Sequence, residues 1–436
     1  MASLPELPAV TALSKYVTRI LGQNPSKFTL QGTNSYLVHH PHSTRMILID
    51  TTGSSSSGPL PPAALSSYLA SLRALLAGPG LGPEEASYIS DIILTHWHRD
   101  HVDALAHVVR TLSRPVKVWK FPCAAAEHDE CGGGGEWKWE RGRDAALEQE
   151  LVAAAAAATG GFPSSLAEGG SSPLPLVLEK SETGWIHVLR DGQTFRLEAD
   201  RNRDQRAELP ANGDGSGESG TEAVELEVVH TPGHTSDSIC LILRAAEPPS
   251  SSSSSGRARA PLGLFTADTV LGHGTAVFAS LAAYLSSLSR LVNVLEHPSA
   301  SMSESTSTST SAGIPVPLFP GHGDVVEDGV AKIREYRAHR LERENQVVQA
   351  LKKAQQDGRG PIRADELVDQ IYGSILPVAL KPAATHGCLL HLAKLLDEGI
   401  VTRLRSVDGS TNTEAAVEHE ELQIPEGWHD GWSLSA

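Results

Sequence analysis

The run Thr95-His96-Trp97-His98-Arg99-Asp100-His101 constrains this chain more than any other feature. Residues 89–94 before it read as a short strand, apolar at Ile92-Ile93-Leu94. After it, Val102, Leu105, Val108, Val109 and Leu112 recur at helical spacing, so a helix follows directly. Three imidazoles and a carboxylate thus crowd one strand-to-helix turn. In a sharp loop, His96 and His98 can face one point while Asp100 and His101 face a neighbouring one, and two metal ions can share the turn. Such ligands suit zinc, with manganese or iron as substitutes. The bland alternative is a set of ordinary surface histidines at a helix N-terminus. With 19 histidines in the chain, chance pairs are expected, but a four-ligand cluster of this spacing is not.

One loop cannot complete two coordination shells, so further ligands are expected at other strand ends. Residues 226–229 read as a strand ending at His230, and Thr231-Pro232-Gly233-His234 follows. Residues 262–265 read as a strand running into Thr266-Ala267-Asp268, whose carboxylate can bridge two ions. Leu318-Phe319 runs into Pro320-Gly321-His322. Taken singly, an Asp after a strand is more often a turn or cap and a Gly-His pair says little; together with the first loop, in this order, they form a constellation.

The surrounding texture is layered α/β. Residues 28–30, 35–39 and 46–50 read as strands of a meander with Gly32 and Pro41 at its turns, residues 239–243 as another strand, and residues 143–158 as an Ala-rich surface helix. Four low-complexity segments (about 122–182, 202–221, 248–260 and 298–313) are read as insertions into one compact domain, residues 1–327. From residue 328 a long helix begins. Helical stretches at 364–372 and 386–396 and a strand at 400–404 then resemble a small winged-helix module, giving a second region at 328–436.

Composition narrows the partners. A formal net charge of −16 argues against a general polyanion binder. The four cysteines, Cys123, Cys131, Cys240 and Cys388, show no CxxC spacing, so a reducing compartment is expected. No apolar run approaches the roughly 20 residues that span a bilayer, and residues 1–6 lack a basic, apolar leader. The expected location is the cytoplasm. The helix carrying Lys332, Arg334, Arg337, Arg340 and Arg343 also carries Glu335, Glu342 and Glu344, which reads as a solvated, ion-paired face or at most a modest docking patch. No basic stretch is interleaved with aromatics for base stacking, since Trp137 and Trp139 lie in an insertion; nucleic acid is an unfavoured but open partner.

Asp50, the HxHxDH loop, Gly233-His234-Thr235, Asp268 and Pro320-Gly321-His322, in this order, resemble the metallo-β-lactamase superfamily. The resemblance implies an αββα sandwich with a dinuclear zinc site along one sheet edge. By its pattern His96, His98 and His234 hold the first ion, Asp100, His101 and His322 the second, and Asp268 bridges them. Asp50 orients ligands without binding metal. Three further stretches, at residues 19–25, 29–37 and 272–278, look like one branch, as do Lys332-Ile333, Tyr336, His339-Arg340 and Arg343-Glu344. That branch holds β-lactamase-like endoribonucleases and fungal thioesterases that release polyketides from acyl carrier protein. Departures from the superfamily pattern are Asp50-Thr51-Thr52-Gly53 for Asp-Thr-Gly, Asp103-Ala104 for Gly-Gly, and Ala267 for the Gly before the bridging Asp.

Such a site lowers the pKa of water to about 7, with Asp100 as the acid/base residue. A thiolate, whose parent thiol has a pKa of about 8.5, departs unprotonated, whereas an RNA alkoxide needs a proton donor. The first reading is therefore a two-zinc thioesterase acting on a polyketide acid held by an acyl carrier protein, with that carrier or its synthase as partner. The alternatives are a metal-dependent endoribonuclease on single-stranded RNA and a non-catalytic binding module. β-Lactam hydrolysis is not implied.

Overall fold

The computed structural model describes residues 4–78, 86–123, 142–159, 178–181, 184–200, 223–246, 260–297, 315–404 and 430–435. Most of the four insertions, with Trp137, Trp139 and Cys131, lies outside the described residues. The chain divides into two compact units, Met1–Val277 with Ser287–Ile333, and Phe278–Ser286 with Arg334–Ala436.

The first unit holds two sheets. One has seven strands in sequence order: β1 (Val10–Ala12), β2 (Val17–Leu21), β3 (Asn34–His39), β4 (Arg45–Ile49), β5 (Tyr88–Leu94), β6 (Lys117–Lys120) and β7 (Ile186–Val188). β1 to β4 form an antiparallel meander, and β4 to β7 run parallel. The other sheet has five strands, β8 (Thr194–Leu197), β9 (Ala223–His230), β10 (Ile239–Ala246), β11 (Pro261–Ala267) and β12 (Leu318–Pro320), with β11 and β12 parallel.

The alternation of side chains explains the layering. Along β3 and β4, Tyr36, Val38, Ile47 and Ile49 join one buried cluster with Leu226, Val228, Leu241, Leu243, Phe265 and Phe319 of the second sheet. The intervening Leu37 and Leu48 join a second cluster with Tyr68 and Leu72 of α1 (Pro62–Ala77), Leu105, Val108 and Val109 of α3 (Leu105–Thr111), and Leu147 and Leu151 of α4 (Arg143–Thr159). The first cluster is the filling between the sheets and the second seats helices on an outer face, as in an α/β sandwich. Truncating one of these leucines to alanine costs about 2–5 kcal/mol.

Two readings of the sequence change. Residues 28–30 form no strand: the Thr29 hydroxyl donates to the Asn24 carbonyl at 2.6 Å, and Leu30, at φ +55°, closes a turn bridged to Ser26. The helix after the histidine loop is two pieces, α2 (Arg99–Val102) and α3. The Ala104 amide leaves the helical ladder to donate to the Thr52 carbonyl at 2.8 Å.

α5 (Leu281–Glu296) and α6 (Gly329–Gln356) each contribute residues to both units. In the second unit, α7 (Ala364–Tyr372) and α8 (Lys381–Asp397) pack against a three-stranded sheet of β13 (Ile362–Arg363), β15 (Gly431–Leu434) and β14 (Val401–Leu404), a winged-helix arrangement. Part of the charge on α6 is used internally. The Arg340 guanidinium lies 4.8 Å from the Phe278 ring, that of Arg343 lies 4.6 Å from the Tyr372 ring, and Glu344 accepts from Lys394 at 2.9 Å. No described helix is long and apolar enough to cross a membrane.

Candidate metal centre

The ends of β4, β5, β9, β11 and β12 deliver Asp50, the histidine loop, His234, Asp268 and His322 to one edge of the sandwich. Ligand groups at carboxyl ends of strands are where an α/β sheet leaves its crevice. His96, His98, His234 and Asp268 form one group, and Asp100, His101 and His322 form another. His98 Nδ1 lies 3.0 Å from His96 Nε2 and 2.9 Å from His234 Nε2, and the Asp268 carboxylate is 3.7 Å from His234. In the second group, His322 Nε2 stands 3.1 Å from Asp100 and 3.3 Å from His101 Nε2. Asp268 faces this group too, at 3.4 Å from His101 and 3.3 Å from His322. All seven side chains named from the sequence are thus brought together.

Neighbouring groups set the tautomers. Thr95 Oγ1 donates to Asp50 at 2.7 Å and so accepts from His96 Nδ1 at 3.0 Å. His234 Nδ1 donates to the Val277 carbonyl, and His101 Nδ1 to Asp50, each at 2.8 Å. The Nδ1 hydrogens of these three rings are thus spent on outer acceptors, which turns each Nε2 inward. His98 Nδ1 meets the inward Nε2 atoms of His96 and His234 at 2.9–3.0 Å and can offer at most one hydrogen between them, so the three nitrogens converge as ligands of one cation would. Tetrahedral zinc with bonds of about 2.0–2.1 Å spaces its ligands by about 3.3 Å, close to the separations here. Asp268 Oδ1 is also buried without a hydrogen-bond partner. The residues fit a pair of metal ions.

Electrostatics divide the groups. Burial, reinforced by neighbouring imidazoles, holds His96 well below the ordinary histidine range and His98 at about 3. Burial acts the same way on His101 and His322, but the carboxylates win. Asp100, Asp268 and Asp50 lift His101 well above its usual value, and Asp268 and Asp100 lift His322 to about 9. Asp100 and Asp268 are held low in return: the two histidines overcome the burial that would raise them.

Asp50 touches none of the inward-facing nitrogens. At φ +56° it accepts from the Thr95 amide and hydroxyl and from His101, fixing two turns at once. The departures from the superfamily pattern have local accounts. Asp103 accepts from the Ser54 hydroxyl and amide and from Arg99, tying α2 to the Gly53 turn. Ala267 takes φ +43°, where an L-residue is strained. Gly321 is required by space, since a Cβ there would press on Asp268 Oδ1 and His101 Cε1. Sequence reasoning missed Thr95 and the Val277 carbonyl. Thr95 adjoined the motif and could have been suspected, whereas a main-chain acceptor leaves no residue-type signal.

The rim is partly apolar. Val277 is 57% exposed. The Trp97 ring lies 4.4 Å from the His98 ring and carries the Arg143 guanidinium at 4.3 Å.

A protein of Drosophila melanogaster named β-lactamase-like protein 2 homolog is 30% identical over 405 residues, covering 92% of this chain and 95% of its own. The chain belongs to this family of the metallo-β-lactamase superfamily. It is accordingly a hydrolase of that superfamily. An atrochrysone carboxyl ACP thioesterase of Claviceps purpurea (strain 20.1) is 25% identical over 382 residues, covering 88% of this chain and 80% of its own. A β-lactamase domain protein from Burkholderia ambifaria has the same fold, with a TM-score of 0.52 at 18% identity and 93% of each chain covered. Residues 364–410 match the β-lactamase associated winged helix domain.

Proposed function

We propose that the chain is a dinuclear zinc thioesterase that releases an acid from an acyl carrier protein in polyketide biosynthesis, in the cytoplasm. The observation that carries the reading is the sharing of Asp268 between two adjoining ligand groups, each with inward-facing nitrogens. His96, His98 and His234 would hold one ion, Asp100, His101 and His322 the other, and Asp268 both. Ions bound there would supply a water deprotonated near neutral pH and a Lewis acid for the carbonyl.

The chain's own residues do the rest. Asp100, ionised at neutral pH and 18% exposed on its side chain, accepts a proton at its carboxylate and orients the attacking water. Val277, exposed beside His234, offers apolar surface suited to an acyl chain. A thiolate leaves without help from an acid, so no further titrating group is required. The thioesterase names of relatives such as the Claviceps protein support a carrier-bound substrate. Buried thiols at Cys240 and Cys388 suit a reducing compartment.

A second reading, cleavage of single-stranded RNA, is kept because the Drosophila relative, whose name states no substrate, matches at higher identity than the thioesterases. One zinc-loaded preparation assayed on an acyl-carrier thioester and on single-stranded RNA separates them. The proposal expects thioester hydrolysis, lowered by about 10²–10⁴ in Asp100→Asn. RNA cleavage without thioester hydrolysis would overturn it.

A further inference from the structure

Among the sequence features that set this branch apart, residues 19–25 and 29–37 contain no metal ligand, yet they converge on the turn that carries His322. The Asn34 amide nitrogen donates to the Pro320 carbonyl at 2.9 Å and to the Gly323 carbonyl at 2.8 Å, clamping the turn on both sides of His322. The Asn34 main-chain amide donates to the Gly321 carbonyl at 2.7 Å, and the Tyr36 hydroxyl reaches the Pro320 carbonyl at 2.7 Å. Arg19, with its side chain 2% exposed, pairs with Asp324 at 2.9 Å. Thr33 bridges to His322 across the same turn. Asn24 fixes the donor side, accepting from the Thr33 amide at 2.8 Å and donating to the Gly53 carbonyl at 3.1 Å. Asn34 itself is 1% exposed.

The geometry points to Asn34, assisted by Tyr36 and Arg19, as the positioning residue for His322 and hence for the second metal ion. The inference rests on the two-metal reading above and assigns this motif a task within it. No contact of this set reaches His96, His98 or His234, so its loss falls on one ion and not on the other. Removing the Asn34 side chain strands two carbonyls in a buried turn. The turn then relaxes, and His322 moves away from Asp100 and Asp268.

The test is zinc titration of the metal-stripped full chain against a chromogenic chelator, with His98→Ala and Asp100→Asn assigning the two affinity classes. Asn34→Ala is expected to weaken the class lost in Asp100→Asn roughly tenfold to hundredfold, as removal of an outer hydrogen-bond partner does, and to leave the other class within about threefold. Tyr36→Phe, which deletes one hydroxyl and is expected to fold, should weaken the same class by a smaller factor. Equal weakening of both classes, or unchanged affinities with a lowered melting temperature, would overturn the assignment and leave the two-metal reading intact. An unsubstituted chain taking up a single equivalent would overturn both.

Discussion

Asp50 Oδ2 lies 2.8 Å from His101 Nδ1, and the same carboxylate accepts from the Thr95 amide at 2.8 Å. One side chain therefore sets the ring direction in the second ligand group and the entry of the loop that starts the first. Asp50→Asn keeps the shape but loses a charge, and an amide must offer its nitrogen to one of three donors. Affinity for zinc should fall by about 10–100-fold in both groups, measured by chelator competition. A fall confined to one group would show that Asp50 serves His101 alone.

Metal uptake should release protons unevenly. In the metal-free chain, His322 titrates at about 9 and His101 well above its ordinary value, so both rings are protonated at pH 7.5, while His96 and His98 are already neutral. Ligation needs neutral imidazoles. Filling the second group at pH 7.5 therefore expels the protons of His101 and His322, and neither His96 nor His98 releases one as the first fills. Affinity of the second group should drop as pH falls below about 9. Calorimetry in buffers of different ionisation enthalpy reads the proton count directly.

Gly321→Ala tests crowding. The added methyl would press on Asp268 and His101 at the junction of the two groups. Loss of at least one zinc equivalent is expected, with the melting temperature of the metal-free chain changed far less than that of the loaded one.

Ala267→Gly should stabilise the fold. Relief of φ +43° recovers about 1–3 kcal/mol, of which the extra freedom of glycine in the unfolded chain takes back about 0.4–1 kcal/mol. Denaturant midpoints on metal-stripped protein would show a net gain; a decrease would mean that the Ala267 methyl packs better than its backbone suffers.

Lys120, 2% exposed on its side chain, pairs with the fully buried Asp237, three residues beyond His234, and also with Asp144. Lys120→Met abandons a carboxylate in the interior and should cost about 3–5 kcal/mol. Burial already raises the Asp237 carboxyl against the pull of Lys120, so the abandoned group should take up a proton. Lys120→Met with Asp237→Leu should recover most of the loss in the same unfolding measurement.

The convergence of the seven candidate side chains was legible in the sequence because each stands just beyond an apolar run, and the strand ends lie on one edge. The layered α/β texture and the winged helix were likewise readable from runs such as residues 89–94 and 364–372, whereas the pair of sheets was expected only from the superfamily resemblance. What escaped was polar where a strand usually is not. β6 carries Lys117 and Lys120, the second buried by its ion pair, and β2 carries Arg19, buried by Asp324. Composition assigns such residues to a surface, and only a partner more than a hundred residues away in the chain, Asp237 for Lys120 and Asp324 for Arg19, explains them. The strand expected at residues 28–30 failed for the opposite reason, because Thr29 spends its hydroxyl on a local turn.

The shared carboxylate and its neighbours come from segments as far apart as His96 and His322. During synthesis, a chain whose residue 322 is still inside the ribosome holds the residues of the first group but lacks one member of the second. Closing of the second group awaits His322, just beyond β12, so under the two-metal proposal its capture of metal would report that the sandwich has been completed.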